Sequence, residues 1–163
     1  MTAAELQRDL VEEMKKLFQG ITTENTSGET VTGLNVYEQN LPVVTDDEED
    51  ESQFFPYALV KLETGKTADD DSPWVVATEI GICDHSKKNI GHRHIMNMIQ
   101  DVVDRFAAEP LLNKKFRAEQ DIEWAIQDED TYPFYFGGVA ISFNVPKIGR
   151  REPKHYAEED RYC

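Results

Sequence analysis

The chain has 163 residues, 39% of them hydrophobic, with eight Phe, six Tyr and two Trp, which fits one domain with its own core and argues against global disorder. Lys and Arg number 17 against 32 Asp and Glu, a formal net charge of −15. That balance excludes the basic footprint needed to hold a phosphate backbone, and suits solubility, a basic partner, or a surface along which DNA slides without sticking.

Residues 2–18 carry Leu6, Leu10, Met14, Leu17 and Phe18 at helical spacing, and Thr2 with Glu5 has the form of a capping box. Gly20 ends this helix. The same opening stretch is charged throughout and has no apolar core of signal-peptide type, so synthesis and use in a cytoplasm, or assembly there into something larger, are expected. No apolar run approaches the roughly 20 residues that span a bilayer, and no membrane association is expected. "TTENTSGET" reads as a polar loop, and "VTGLNVYEQ" (31–39) as a strand with Leu34 and Val36 on one face.

Asp46, Asp47, Glu48, Glu49, Asp50 and Glu51 are consecutive acids inside a loop over 44–53. Like charges repel, so the run reads as solvated. It lacks the alternating ligands and central Gly of a calcium loop. "FPYALVKLETG" (55–65) predicts a strand with Ala58, Val60 and Leu62 sharing a face. A second acidic loop (66–73) leads into "WVVATEIGIC" (74–83), apolar on both faces and therefore central in a sheet. The two strands pair as a long hairpin.

"NIGHRHIMNMIQDVVDRFAAEP" places Ile95, Met98, Ile99, Val102, Val103 and Phe106 on one helical stripe, stopped by Pro110. "FRAEQDIEWAIQ" (116–127) alternates: Phe116, Ala118, Ile122, Trp124 and Ile126 point to a core, while Arg117, Glu119, Asp121 and Glu123 point to water. "GVAISFNVP" (138–146) alternates likewise through Val139, Ile141, Phe143 and Val145. The expected fold is one α+β domain over 1–148, in the order α-β-β-β-α-β-β. Its sheet is mixed and antiparallel-rich, of about five strands, with two main helices packed on one face. Residues 149–163 read as an extended C-terminal tail of mixed charge.

Cys83, His85, His92 and His94 lie close in sequence and invite a zinc reading. His92 and His94, two apart at a helix start, do not share a face, and a cysteine at a strand end is ordinarily a small buried hydrophobe. No metal is expected. Two cysteines give no disulfide framework. Nucleophile elbow, phosphate loop and dinucleotide turn are all absent from the sequence. The pairs Glu119/Asp121 and Asp128/Asp130 fall on a solvated strand face and in a turn. Neither an enzyme nor a cofactor is expected.

One segment resists these readings. "DEDTYPFYFGG" (128–138) joins two alternating strands, and its Asp, Thr and Gly-Gly suit a hairpin turn, with the glycines as the hinge into the last strand. Four aromatics, Tyr132, Phe134, Tyr135 and Phe136, are not loop-tip composition. They require cover, from the protein's own core or from another subunit.

"FPYALVKLETG", "IGICDHSKKNIGHRHIMNMIQDVV" and "IEWAIQDEDTYPFYFGGVAISFNVPKI" together resemble small tail-associated proteins from the structural modules of long-tailed bacteriophages and prophages, the tail terminator or head–tail joining group. The likeness spans roughly residues 55–148, with "YPFYFGG" and the "VP" ending most specific. It implies a virion protein without catalysis: a homo-oligomeric ring, typically of six subunits, seated on the last ring of the tail tube. Such a ring stops tube growth, presents a surface to the head connector, and lets DNA through its lumen without specific binding. On that basis the acids 46–51 or 69–71 are expected to face the lumen, where they would repel DNA. Tyr132, Pro133, Phe134, Tyr135 and Phe136, with Arg150 and Arg151 of the tail, are expected at subunit contacts. Open alternatives are an adaptor or stopper ring of the connector, a monomeric acidic module, and, third, a metal-dependent hydrolase built on the Cys83/His85 region.

Overall fold

Thr2 starts helix α1 (Ala3–Phe18) by accepting a hydrogen bond from the Glu5 amide at 3.1 Å. The computed structural model describes residues 2–45, 50–67 and 73–145. The expectations for Asp46, Asp47, Glu48 and Glu49, for the acids 69–71, and for Arg150, Arg151 and the whole tail lie outside the described residues. After α1 come β1 (Thr22–Glu24), β2 (Thr30–Thr32), β3 (Asn35–Glu38), a 3₁₀ turn (Glu51–Phe54), β4 (Tyr57–Gly65) and β5 (Pro73–Cys83). Helix α2 (Gly91–Ala108), β6 (Leu111–Leu112), β7 (Phe116–Ile126) and β8 (Phe134–Asn144) complete the order.

Among the described residues, the strands form one eight-stranded sheet, more than the five expected. Two of the three extra strands come from the N-terminal third. Gly33, at φ +84, breaks the expected 31–39 strand into β2 and β3. "TTENTSGET" is a small hairpin, because Asn25 Oδ1 accepts from the Ser27 and Glu29 amides and closes its turn. Two-residue β6 is the third addition. The α+β class, the antiparallel-rich mixed sheet and the β4–β5 hairpin are as expected; among the described strands, only β3 and β4 run parallel.

β5 is the central strand. It pairs along its whole length with β8, from Pro73↔Asn144 to Cys83↔Phe134, and on its other edge with β4. Glu24 of β1 sits opposite its last residue, Cys83. Alternate residues of these strands, among them Val60, Val76, Ile80, Val139, Ile141 and Phe143, meet the buried stripes of α1 and α2 in one core cluster. Phe106 of α2 stands edge-on to Phe143, centroids 5.6 Å apart. Each large side chain taken fully from water there contributes roughly 1.5–3 kcal/mol. Both helices therefore lie on one face of the sheet.

β7 departs from its simple pattern. Its register on β8 shifts between Ala118, opposite Phe143, and Ile122, opposite Ile141, so two residues bulge out of the ladder. An even number of extra residues preserves the alternation, which is why the sequence pattern conceals the bulge. Trp124 pairs with buried Val139 and shares its face, yet it is 53% exposed. The helices leave it uncovered, contrary to its expected place over the core.

The two helices are tied to each other and to the far strands by ion pairs. Arg105 of α2 binds Glu13 of α1 at 2.5 Å, and Lys115, between β6 and β7, binds Glu5 at 2.6 Å. The Lys115 hydrogen bond, first, and the Thr2 amide hold the Glu5 carboxyl below its ordinary 4.5. Its folded-state value is depressed, so its stabilising contribution is present at neutral pH and is lost as pH falls below 4.5 and through that lower value. In Lys115→Met, an NMR titration should find Glu5 back near the ordinary carboxylate value; an unmoved Glu5 would rule the pairing out.

Candidate functional site

The segment 127–137 is built as a fixed hairpin tip. Gln127 N–H donates to Phe136 O at 3.1 Å, Phe134 N–H to Thr131 O at 3.0 Å, and the Thr131 hydroxyl to Phe134 O at 2.6 Å. Asp130 Oδ1 accepts from the Tyr132 amide at 3.3 Å, an Asx turn, so one of the leading acids has turn work to do. The tip is fastened to the β5–α2 connection. Asp84 N–H donates to Pro133 O at 2.9 Å, the Tyr132 hydroxyl to His85 O at 2.6 Å, and the Tyr135 hydroxyl to Asn89 Oδ1 at 2.5 Å.

The strand pleat then sorts the aromatics. Tyr135 turns to the helix face, where its ring lies on Gly91; a Cβ there would stand 2.2 Å from the ring. Phe134 and Phe136 turn to the opposite face and meet Phe55, with centroids 4.8 and 5.6 Å away. Phe55 in turn packs on Tyr57 at 4.9 Å, and both rings rest on the bare Cα of Gly81. Burial, then the charges of Glu79 and Glu51, pushes the Tyr57 phenol up to about 12. Three of the four aromatics thus pack first within their own subunit. They stay half-buried, and Tyr132 is exposed.

Phe55 and Tyr57 were missed as members of this site. Their signal was present in "FFPY", an aromatic run entering β4, but nothing in the sequence joined it to residues 134–136. The glycines were misread. Gly137 and Gly138 are not a hinge but lie inside β8, opposite Ile80 and Glu79. A Cβ on Gly137 would stand 2.4 Å from Ile95 Cγ2, so glycine is there to admit α2.

Beyond the aromatic end, the face away from the helices carries Ala77, Ala125, Gly138, Ala140 and Ser142, with Lys61 and Glu79 paired at 3.2 Å. Both α-helices belong to the other face's cluster, while Tyr37, Leu41 and, from the 3₁₀ turn, Phe54 pack on the aromatic end of this one. Of the acid run, Asp50 and Glu51 are described. Asp50 caps the 3₁₀ turn by accepting from the Ser52 amide at 2.9 Å, and the Ser52 hydroxyl bond, first, lowers its pKa. Part of that run is therefore local architecture.

The Cys83/His region behaves differently from a ligand set. Cys83 is 2% exposed, and burial pushes its thiol up to about 11, helped by Glu24 and opposed by a bond from Thr26. His85 Nδ1 lies 2.6 Å from Glu24, which ties β1 to the end of β5. His94 lies 3.5 Å from nine-tenths-buried Asp84, beside a shallow groove of about 190 Å³ that Thr22, Thr23 and Glu24 also line. His92 opens instead onto a separate groove of about 320 Å³ near Gln127 and Tyr135. Among the described residues, no three His, Cys, Asp or Glu side chains come together to hold a metal ion, and no helix is long and apolar enough to cross a membrane.

No protein-family model matches the sequence, and comparison with curated proteins gives no significant match.

Proposed function

We propose that the chain is an architectural virion protein that assembles as a ring, of six copies by resemblance, at the head–tail junction of a long-tailed phage. There it ends the tail tube and carries the head. The observation that carries this reading is the sheet itself: one face is closed by two helices, and the other presents a fastened aromatic platform beside a flat field of small residues. Half-buried Phe134 and Phe136 with exposed Tyr132, held on a rigid scaffold, support an assembly role. A rotational ring uses such surface through heterologous contacts, one patch meeting a different patch on the next copy. The net charge of −15 supports DNA passage through a lumen that does not retain it.

Electron microscopy of particles assembled without this protein tests the reading. Overlong tails without heads are the expected result. Tails of normal length that lack heads would assign the chain to the connector as an adaptor, and complete particles would rule out both.

A further inference from the structure

β7 ends the sheet on one side. β6 covers only Phe116 and Arg117; from Ile122 to Ile126 the ladder runs to β8 and, among the described residues, to no strand beyond. Glu123 lies on this edge, Glu119 and Asp121 precede it in the bulge, and Asp128, Glu129 and Asp130 follow in the turn. Charges on an edge are a common guard against unwanted pairing. A guard explains the acids but not Trp124, which stands 53% exposed among them.

The occupant of such an edge can be read from its chemistry. Two copies of β7 set edge to edge would bring acid against acid, which destabilises a cross-strand pair. The edge wants an extended backbone carrying positive charge, and Trp124 offers a ring face to a guanidinium. The chain supplies such a segment just beyond β8: "PKIGRREPK" holds Lys147, Arg150, Arg151 and Lys154 against Glu152 alone. Pro146 and Pro153 bracket residues 147–152, all of which keep a backbone N–H for a ladder.

The geometry at the end of β8 favours a neighbour over the chain's own tail. Asn144 sits opposite Arg117, at the end of β7 that β6 already covers. The edge from Ile122 to Ile126 is level with Ile141 to Gly137 of β8, roughly 10–23 Å back along the strand from Asn144. The chain's own 147–152 would be used up in rounding β6 and the bulge. A second copy approaches the edge without that detour.

We propose that the open edge of β7, Ile122–Ile126 with Trp124, seats the basic segment 147–152 of a neighbouring copy as an added strand. This rests on the self-assembly part of the ring reading and names the contact.

The test uses the full chain, mixed as equal parts unlabelled and ¹⁵N-labelled protein, treated with a carbodiimide and analysed by mass spectrometry. Mixed-isotope links from Glu119, Asp121 or Glu123 to Lys147 or Lys154 are expected. Links confined to one copy, or links between copies that avoid β7, overturn the contact while leaving the ring intact. D121K/E123K, at two exposed positions, should weaken self-association at least tenfold by sedimentation, and R150E/R151E in the same chain should restore it; failure to restore also overturns the contact. Mixed links in a protein whose absence leaves complete particles would instead overturn the ring reading and keep the contact.

Discussion

Phe55→Ala should lower folding stability by about 3–5 kcal/mol, the usual cost of deleting a buried phenyl ring. Phe55 is 7% exposed and is the shared neighbour of Tyr57, Phe134 and Phe136. Its removal takes away three ring contacts at once, each worth about 0.5–1.5 kcal/mol beyond area burial. The cavity has few means of closing, because Gly81 beneath it has no side chain to move in. Urea unfolding measures the loss. Hydrogen exchange supplies the local readout: the Asp84 amide, which donates to Pro133 O, should lose protection as the hairpin tip loosens. A loss below about 1 kcal/mol would mean that the platform is not prebuilt in the subunit and depends on a neighbour for its order.

That platform also shows where sequence reading stops. The stripe of α2 was legible because six apolar side chains at helical spacing have one physical use, and all but Val103 are buried. The alternation of β4, β7 and β8 was legible for the same reason, and the two-sided apolar run of β5 gave its central place. Alternation gives the face of a side chain but not the reach of the layer above it, so Trp124 was assigned to the core and stands in the open. Gly137-Gly138 has the form of a turn by local rules; the close approach of Ile95, from forty residues earlier, decides otherwise. The partnership of Phe55 with Phe134 spans nearly eighty residues and carries no local signature. Asp50, read as one charge in a repelling run, is a cap whose partner is two residues away. Local chemistry was readable wherever the constraint was local, and the candidate site is made of contacts that are not.

Gly137→Val should cost about 3 kcal/mol, at the upper end of the range for overpacking a closed core, while Gly138→Ala should be close to neutral. The neighbours lie on opposite faces of β8. At Gly137 a Cβ would stand 2.4 Å from Ile95 Cγ2, 3.2 Å from Ala125 O and 3.3 Å from Ile99 Cδ1, and valine adds two methyls that must displace α2. At Gly138 the nearest atom to a Cβ is Thr78 O at 3.4 Å, and replacing glycine within a strand recovers about 0.5–1 kcal/mol of backbone entropy. Thermal or urea unfolding of the two variants therefore reads the two sides of the sheet separately. A large loss at 137 with none at 138 is what a sheet closed on one side and open on the other requires. Equal losses would mean that the second face is also filled, and would remove the surface on which the assembly reading depends. If Gly138→Ala leaves the subunit stable yet lowers self-association, the added methyl has met something that is not in its own chain, and the open face is where the next copy sits.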